Sequence, residues 1–241
     1  MNITPNKLTI AQLFATTNEQ FIVPAYQRRY AWGYNQIKAL FDDIQMLQDN
    51  DGHLFGMLIL HTTLHQGGLN QPELVDGQQR ITTLTILLKA IQNQYYNLGK
   101  KEKAKEIGKM LICKGYDDME RTKLVLGDLD NTDYIKVMNQ INLDEIANQN
   151  ISGAFNNYLE WLSQFSLEQL NKFYFKLTNV AVLIRLDVGL AKDAYKLFET
   201  INNRGLRLSP TDIIKNFLLG HAAKIEESEV GVLENIKSIW S

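Results

Sequence analysis

Three segments of the chain hold polar residues at spacings that a fold by itself does not require. In Val23–Trp32, Arg28 and Arg29 stand among Tyr26, Tyr30 and Trp32, just after a short apolar run. A guanidinium fork grips phosphate or carboxylate with two parallel hydrogen bonds, and an aromatic face stacks on a base. Nucleotide or nucleic-acid recognition is one reading; the other makes the aromatics core residues and pairs the arginines with nearby acids. The second segment, Asp76-Gly77-Gln78-Gln79-Arg80, follows the apolar Leu74-Val75 and precedes Ile81, Leu84, Leu87, Leu88 and Ile91. A strand that turns through glycine into a helix leaves backbone N–H groups and the positive end of the helix dipole free for an anion. Arg80 falls in that first turn, where its charge is disfavoured unless an anion answers it. Gln78 and Gln79 add neutral donors, and Asp76 could cap the helix, hold a metal or hold a ribose hydroxyl.

The third segment runs from Phe198 to Asn216. Gly205 suits a left-handed helix end, and Ser209, Pro210 and Asp212 suit the start of the next helix, so these residues have sufficient structural reasons. Asn202, Arg204, Arg207 and Lys215 do not, and they crowd one loop with positive charge. The chain spells no G-x-x-x-x-G-K-[ST] phosphate loop and no G-x-G-x-x-G fingerprint. Cys113 has no partner at zinc spacing and reads as a buried, inert thiol. His61 and His65 stand four apart but in a stretch that reads as strand, where that spacing builds no metal site. The segments supply phosphate-binding apparatus without a cutting centre.

The elements that must position these residues follow from periodicity. Residues 20–26 read as a short extended segment closed by Pro24. Ile37, Leu40, Phe41, Ile44 and Leu47 mark one face of a helix over 34–48, capped by Asn35 or its neighbours. The stretches 55–64, 73–75, 122–126 and 180–186 read as strands, and helices are expected after Gly77 to Tyr96, over 131–141, through most of 150–177, and over 191–201, 210–222 and 229–240. Five lysines between Lys100 and Lys109 read as a solvated helix face. Strands gathered early and late with helices between them argue an α+β chain, a small mixed sheet followed by and packed on a larger, mainly helical part.

Composition bounds the function classes. The 241 residues are 45% hydrophobic and 22% charged, as in a globular protein of one or two domains. With 25 basic and 27 acidic residues the net charge is −2, so a wholly basic nucleic-acid coat is excluded while a local basic cleft is not. One cysteine allows no internal disulfide and fits a reducing compartment. The first ten residues lack a signal-peptide core and the longest apolar runs fall far short of the roughly 20 residues that span a bilayer. A cytoplasmic protein without membrane partners is expected.

In these three segments the chain resembles the N-terminal, GmrS-type domain of the GmrSD modification-dependent (type IV) restriction enzymes. That family is marked by a proline–x–tyrosine–glutamine–arginine segment, a DGQQR segment and a late F-x-x-[IL]-N-x-x-G-x-x-L-[ST] segment, which stand here as Pro24–Arg28, Asp76–Arg80 and Phe198–Ser209. The resemblance implies a ParB/sulfiredoxin-like, nucleotide-binding core over 1–97. It also implies a mainly helical part over 98–241 that returns a strand near 180–187 and the Asn202–Arg204 loop to the pocket. It implies nucleoside triphosphate binding with Mg²⁺, and NTPase activity, in a phage-defence system acting on DNA that carries modified bases or a modified backbone. Carried over by position, Asp76, Gln79 and Arg80 are the expected catalytic residues, and Tyr26, Gln27, Arg28, Gly77, Gln78, Asn202 and Arg204 the expected nucleotide-binding ones. Family members commonly continue into an HNH-type nuclease domain; this chain ends near Trp240 without that motif, so the nuclease is expected from a domain or subunit outside it. Two other functions compete. One is a DNA-binding sensor in which Tyr26, Tyr30 and Trp32 stack on a base while Arg28, Arg29 and Arg207 hold the backbone. The other is an interaction scaffold without activity.

Overall fold

In a computed structural model, residues 3–48, 53–62 and 65–202 are described. The apolar stretch expected as a strand forms β3 (Leu54–His61), and the run before Gly77 forms β6 (Glu73–Asp76). They pair antiparallel, and β10 (Val182–Val188) lies parallel on the other side of β3. β1 (Ile3–Thr9) closes that edge antiparallel to β10; β2 (Phe21–Ile22) and β9 (Leu124–Val125) extend the other edge, both parallel. The result is a six-stranded mixed sheet in the order β1-β10-β3-β6-β2-β9. Two short hairpins, β4 (His65–Gln66) with β5 (Leu69–Asn70) and β7 (Ile112–Lys114) with β8 (Glu120–Thr122), stand beside it.

Helices supply the other layer. α1 (Ile10–Leu13), α2 (Tyr34–Met46), α3 (Gln78–Asn97), α4 (Lys101–Met110), α5 (Asp128–Asn139), α6 (Gln149–Ser163) and α7 (Leu167–Phe175) share one core, in which Phe41, Leu84, Leu88, Tyr95, Phe155, Tyr158 and Leu183 are buried. α3 is buried along most of its length and packs against α4 and α6, so the junction that starts it is held rigidly. A second, smaller cluster forms where α8 (Ala191–Asn202) packs against β3, β6 and β10. There Tyr26, Ile59, Val75, Leu186, Tyr195 and Phe198 meet. The fold class is α+β. No helix among the described residues is long and apolar enough to cross a membrane.

Several local expectations need adjustment. The cap of α2 is Gly33, whose N–H donates to Gln36 Oε1 at 3.1 Å; Asn35 already lies within the helix. The strand expected over 122–126 divides, because Lys123 interrupts it to bury its ammonium against Thr16 O. The 150–177 stretch splits at Ser166, which caps α7 through a reciprocal bond with Gln169, and it ends in a π-turn over Lys176–Val180. α4 carries Ala104 and Ile107 inward and leaves its lysines exposed. The helices expected over 210–222 and 229–240 lie outside the described residues.

Candidate functional site

The candidate site is built on two irregularities of β3 and β6. Between Val182 and Ile184 of β10, β3 carries one extra residue, and between Ile59 and Leu60 of β3, β6 carries another. Such bulges bend a strand and re-aim its side chains. Gly56, within the first, has φ +111°, and the Arg80 guanidinium lies against it so closely that a Cβ at Gly56 would stand 2.7 Å from Arg80 Cζ. Arg80 Nη1 donates to Met57 O at 2.9 Å. β6 ends at Asp76, Gly77 turns the chain at φ +91°, and α3 begins at Gln78 with no side-chain cap and no acid in its first turn.

Asp76, Arg80 and Arg28 come together electrostatically. Burial pushes the Asp76 carboxyl above its usual value, against the Gly77 N–H and the charges of Arg80 and Arg28. Burial likewise pulls the Arg80 guanidinium down, and Asp76 opposes it. Because the folded-state value of Asp76 is raised, ionising it opposes folding: stability is lost as pH rises from about 3.8 through the folded-state value. Asp76→Asn, which keeps an acceptor for the Gly77 N–H, is therefore expected to raise the melting temperature at pH 7. It should also flatten the pH dependence between pH 4 and 7, and thermal melts across that range check it.

The remaining expected residues divide between the ligand-facing surface and the fold. Gln79 is engaged at both ends of its amide: Nε2 donates to Arg29 O at 3.0 Å, and Oε1 accepts from Ala31 N at 2.8 Å and Trp32 N at 3.3 Å. Gln27 Nε2 donates to Val75 O at 3.1 Å, and Gln78 Nε2 to Arg28 O at 3.3 Å. These three glutamines lash the first segment to the second. Tyr26 is buried, with its hydroxyl 2.7 Å from that of Tyr195 on α8, so the first segment is also tied to the helix that leads into the third. Tyr30 is buried with its hydroxyl 2.8 Å from Thr83 Oγ1, and burial pushes that phenol well above its usual range. Tyr26 and Tyr30 are thus core residues and offer no face for base stacking. Arg29 pairs with Asp130, while Arg28 is exposed. Asn202 is the last residue of α8; Arg204, Arg207 and Lys215 lie outside the described residues.

Sequence reasoning missed Asp130 and Asn148. Asp130, in the first turn of α5, accepts from Arg29 Nε at 2.8 Å, Tyr30 N at 2.6 Å and Asn148 Nδ2 at 2.9 Å. Asn148 caps α6 and donates a second bond to Tyr30 O at 3.1 Å. Between this network and the start of α3 lies a cleft of about 40 Å³, lined among others by Gln27, Arg28, Gln78, Thr82, Gly127 and Asp128. The one available sign of Asp130 was an acid in a helix's first turn, which the helix dipole explains by itself.

No curated protein matches the chain. The family described as GmrSD restriction endonuclease, N-terminal domain, matches residues 10–219, a span that contains all three polar segments and every element of the site. The chain therefore belongs to the GmrSD restriction endonuclease N-terminal domain family, and with it to the restriction systems of phage defence.

Proposed function

We propose that this domain binds and hydrolyses a nucleoside triphosphate at the Asp76–Arg80 junction, as the regulatory module of its restriction system. The observation that carries the reading is the start of α3. An uncapped helix N-terminus, free of first-turn acids, opens beside two guanidinium groups, Arg80 and the exposed Arg28. Helix geometry leaves the first N–H groups of α3 without intrahelical partners, and the dipole adds positive potential there. Arg80 has five N–H donors and, among the described residues, uses one, on Met57 O, so most of its fork remains for phosphate oxygens. Asp76 is the carboxylate of the junction. Mg²⁺ characteristically combines one or two carboxylates with substrate phosphates and water, so these residues fit a cation that arrives on the triphosphate. When bound, the cation supplies charge neutralisation on the phosphates. Arg28 and Arg80 orient the phosphates and stabilise charge on them, and Gln79 fixes the turn that carries Arg28. DNA and a nuclease domain or subunit are the partners that such a module would control.

Calorimetric titration of the chain with each nucleoside triphosphate and Mg²⁺ tests this. Micromolar binding of at least one is expected. Arg80→Ala should weaken it by about 30-fold or more, the scale of losing charge-assisted hydrogen bonds to an anion. Undiminished binding and turnover in folded Arg80→Ala would refute the assignment of the phosphate end.

A further inference from the structure

We infer that the side-chain Oε1 of Gln78 faces the nucleoside end of the ligand, accepting a hydrogen bond from a ribose hydroxyl or a base N–H, and makes no bond to the phosphates. The inference rests on the nucleotide reading above. The sequence places Gln78 with Gln79 and Arg80 in one phosphate-binding run; in the structure Gln78 and Gln79 line the cleft beside the first segment and Arg80 does not. Gln78 is 8% exposed, and its Oε1, shielded from solvent, has no hydrogen-bond partner among the described residues. Its Nε2 is committed to Arg28 O. That bond fixes the amide's orientation, because a flipped amide would set Oε1 against a carbonyl oxygen, and two acceptors repel.

An amide oxygen can only accept, and so can an ionised phosphate oxygen. The Gln78 Oε1 therefore has nothing to offer a phosphate and needs a donor. The donors of a nucleotide are its sugar hydroxyls and its base N–H groups. The position agrees: Gln78 lines the cleft between the first segment and the start of α5, whereas neither Asp76 nor Arg80 lines it. At about 40 Å³ the cleft takes one hydroxyl- or amino-sized group. Arg28 stands at the boundary, its carbonyl on Gln78 and its charge bearing on Asp76. A nucleotide with its phosphates at Arg80 and Arg28 would reach this cleft with the adjoining nucleoside.

The test uses the 241-residue chain. Calorimetry measures the four ribonucleoside triphosphates, the 2′-deoxy and 3′-deoxy forms of the tightest, and inorganic tripolyphosphate, on wild type and on Gln78→Met. Gln78→Met keeps the length of the side chain and removes its acceptor together with the Nε2 bond to Arg28 O, one of three glutamine bonds that hold that turn. It is expected to weaken the tightest nucleotide at least tenfold and to leave tripolyphosphate within twofold, because a site built to bond a substrate hydroxyl or N–H discriminates strongly when that bond is lost. In wild type, a matching loss with one deoxy form assigns the donor to the ribose. Tight binding of both deoxy forms, with selectivity among bases, assigns it to a base N–H. Equal losses for nucleotide and tripolyphosphate would overturn the inference by returning Gln78 to the phosphate end. No loss for either would overturn it in favour of a water molecule on Oε1. If Gln78→Met fails to fold, the wild-type series decides, and indifference to both sugar and base overturns the inference. A wild-type chain that binds neither nucleotide nor tripolyphosphate refutes the nucleotide reading itself, which is a different failure.

Discussion

Asp130→Ala is expected to lower the unfolding free energy by about 2 kcal/mol, within the roughly 1–3 kcal/mol for a buried donor left unsatisfied. The carboxylate is 4% exposed and ties three elements: the Arg28–Trp32 turn through Tyr30 N and Arg29 Nε, its own helix α5, and α6 through Asn148. Removing it leaves the Tyr30 N–H with no acceptor in a buried position. Arg29 is half exposed and falls back on water, so its share of the loss is small. The Asn148 amide keeps Tyr30 O. Urea denaturation measures the loss, and hydrogen exchange places it: the amides of Tyr30 through Trp32 should exchange much faster while those in the middle of α3 follow the global change. Because Arg28 is two residues from Tyr30, nucleotide affinity should fall as well. A loss below 1 kcal/mol would mean that the three glutamines, and not Asp130, hold the first segment in place.

The contrast between Asp130 and the glutamines shows what a sequence can disclose about such a site. The strand–glycine–helix junction is local, and its parts are adjacent in the chain, so Glu73–Ile81 announces itself through turn chemistry and the change from period two to period 3.6. The long helix α3 and the strands β3 and β10 were legible for the same reason: each is an apolar run bounded by turn residues. β1 was not foreseen, since Pro5, Asn6 and Lys7 dilute the apolar pattern and its place is granted by pairing with β10, some 180 residues away in the register Ile3↔Val188. β2 is two residues long and exists because β6 and β9 lie on either side of it. The same holds for side chains. Tyr26 and Tyr30 look alike as recognition aromatics and as core residues until Tyr195 and Thr83 are placed beside them. Gln78 and Gln79 are the same residue type in adjacent positions. What distinguishes them is which backbone of the Arg28–Trp32 turn each meets, and no spacing rule contains that information. Long-range partners decide role, while local chemistry decides only where a role is available.

Gly77→Ala is the strongest single test of the junction. The residue sits at φ +91°, in the left-handed region, where a side chain costs about 1–2 kcal/mol. Space adds to that cost: a Cβ would stand 2.4 Å from Leu58 Cδ2 and 2.9 Å from Met57 O. The leucine methyl can swing away, but the Met57 carbonyl cannot move freely, because it accepts from Arg80. Relief must come from shifting the turn, which displaces Asp76 and Arg80 together. The expected result is a destabilisation of about 3 kcal/mol, near the upper end of ordinary point substitutions, with nucleotide binding lost even where the protein remains folded. Gly77→Asn separates the two causes. Asparagine tolerates the left-handed region but still carries a Cβ. If Asn restores most of the stability lost with Ala, backbone strain is the main reason for glycine at this position. If Asn is as damaging as Ala, the reason is the close approach of β3, and the junction is set by the bulged strand beneath it as much as by the turn. Denaturation curves for the two variants, with nucleotide titrations of each, decide between these.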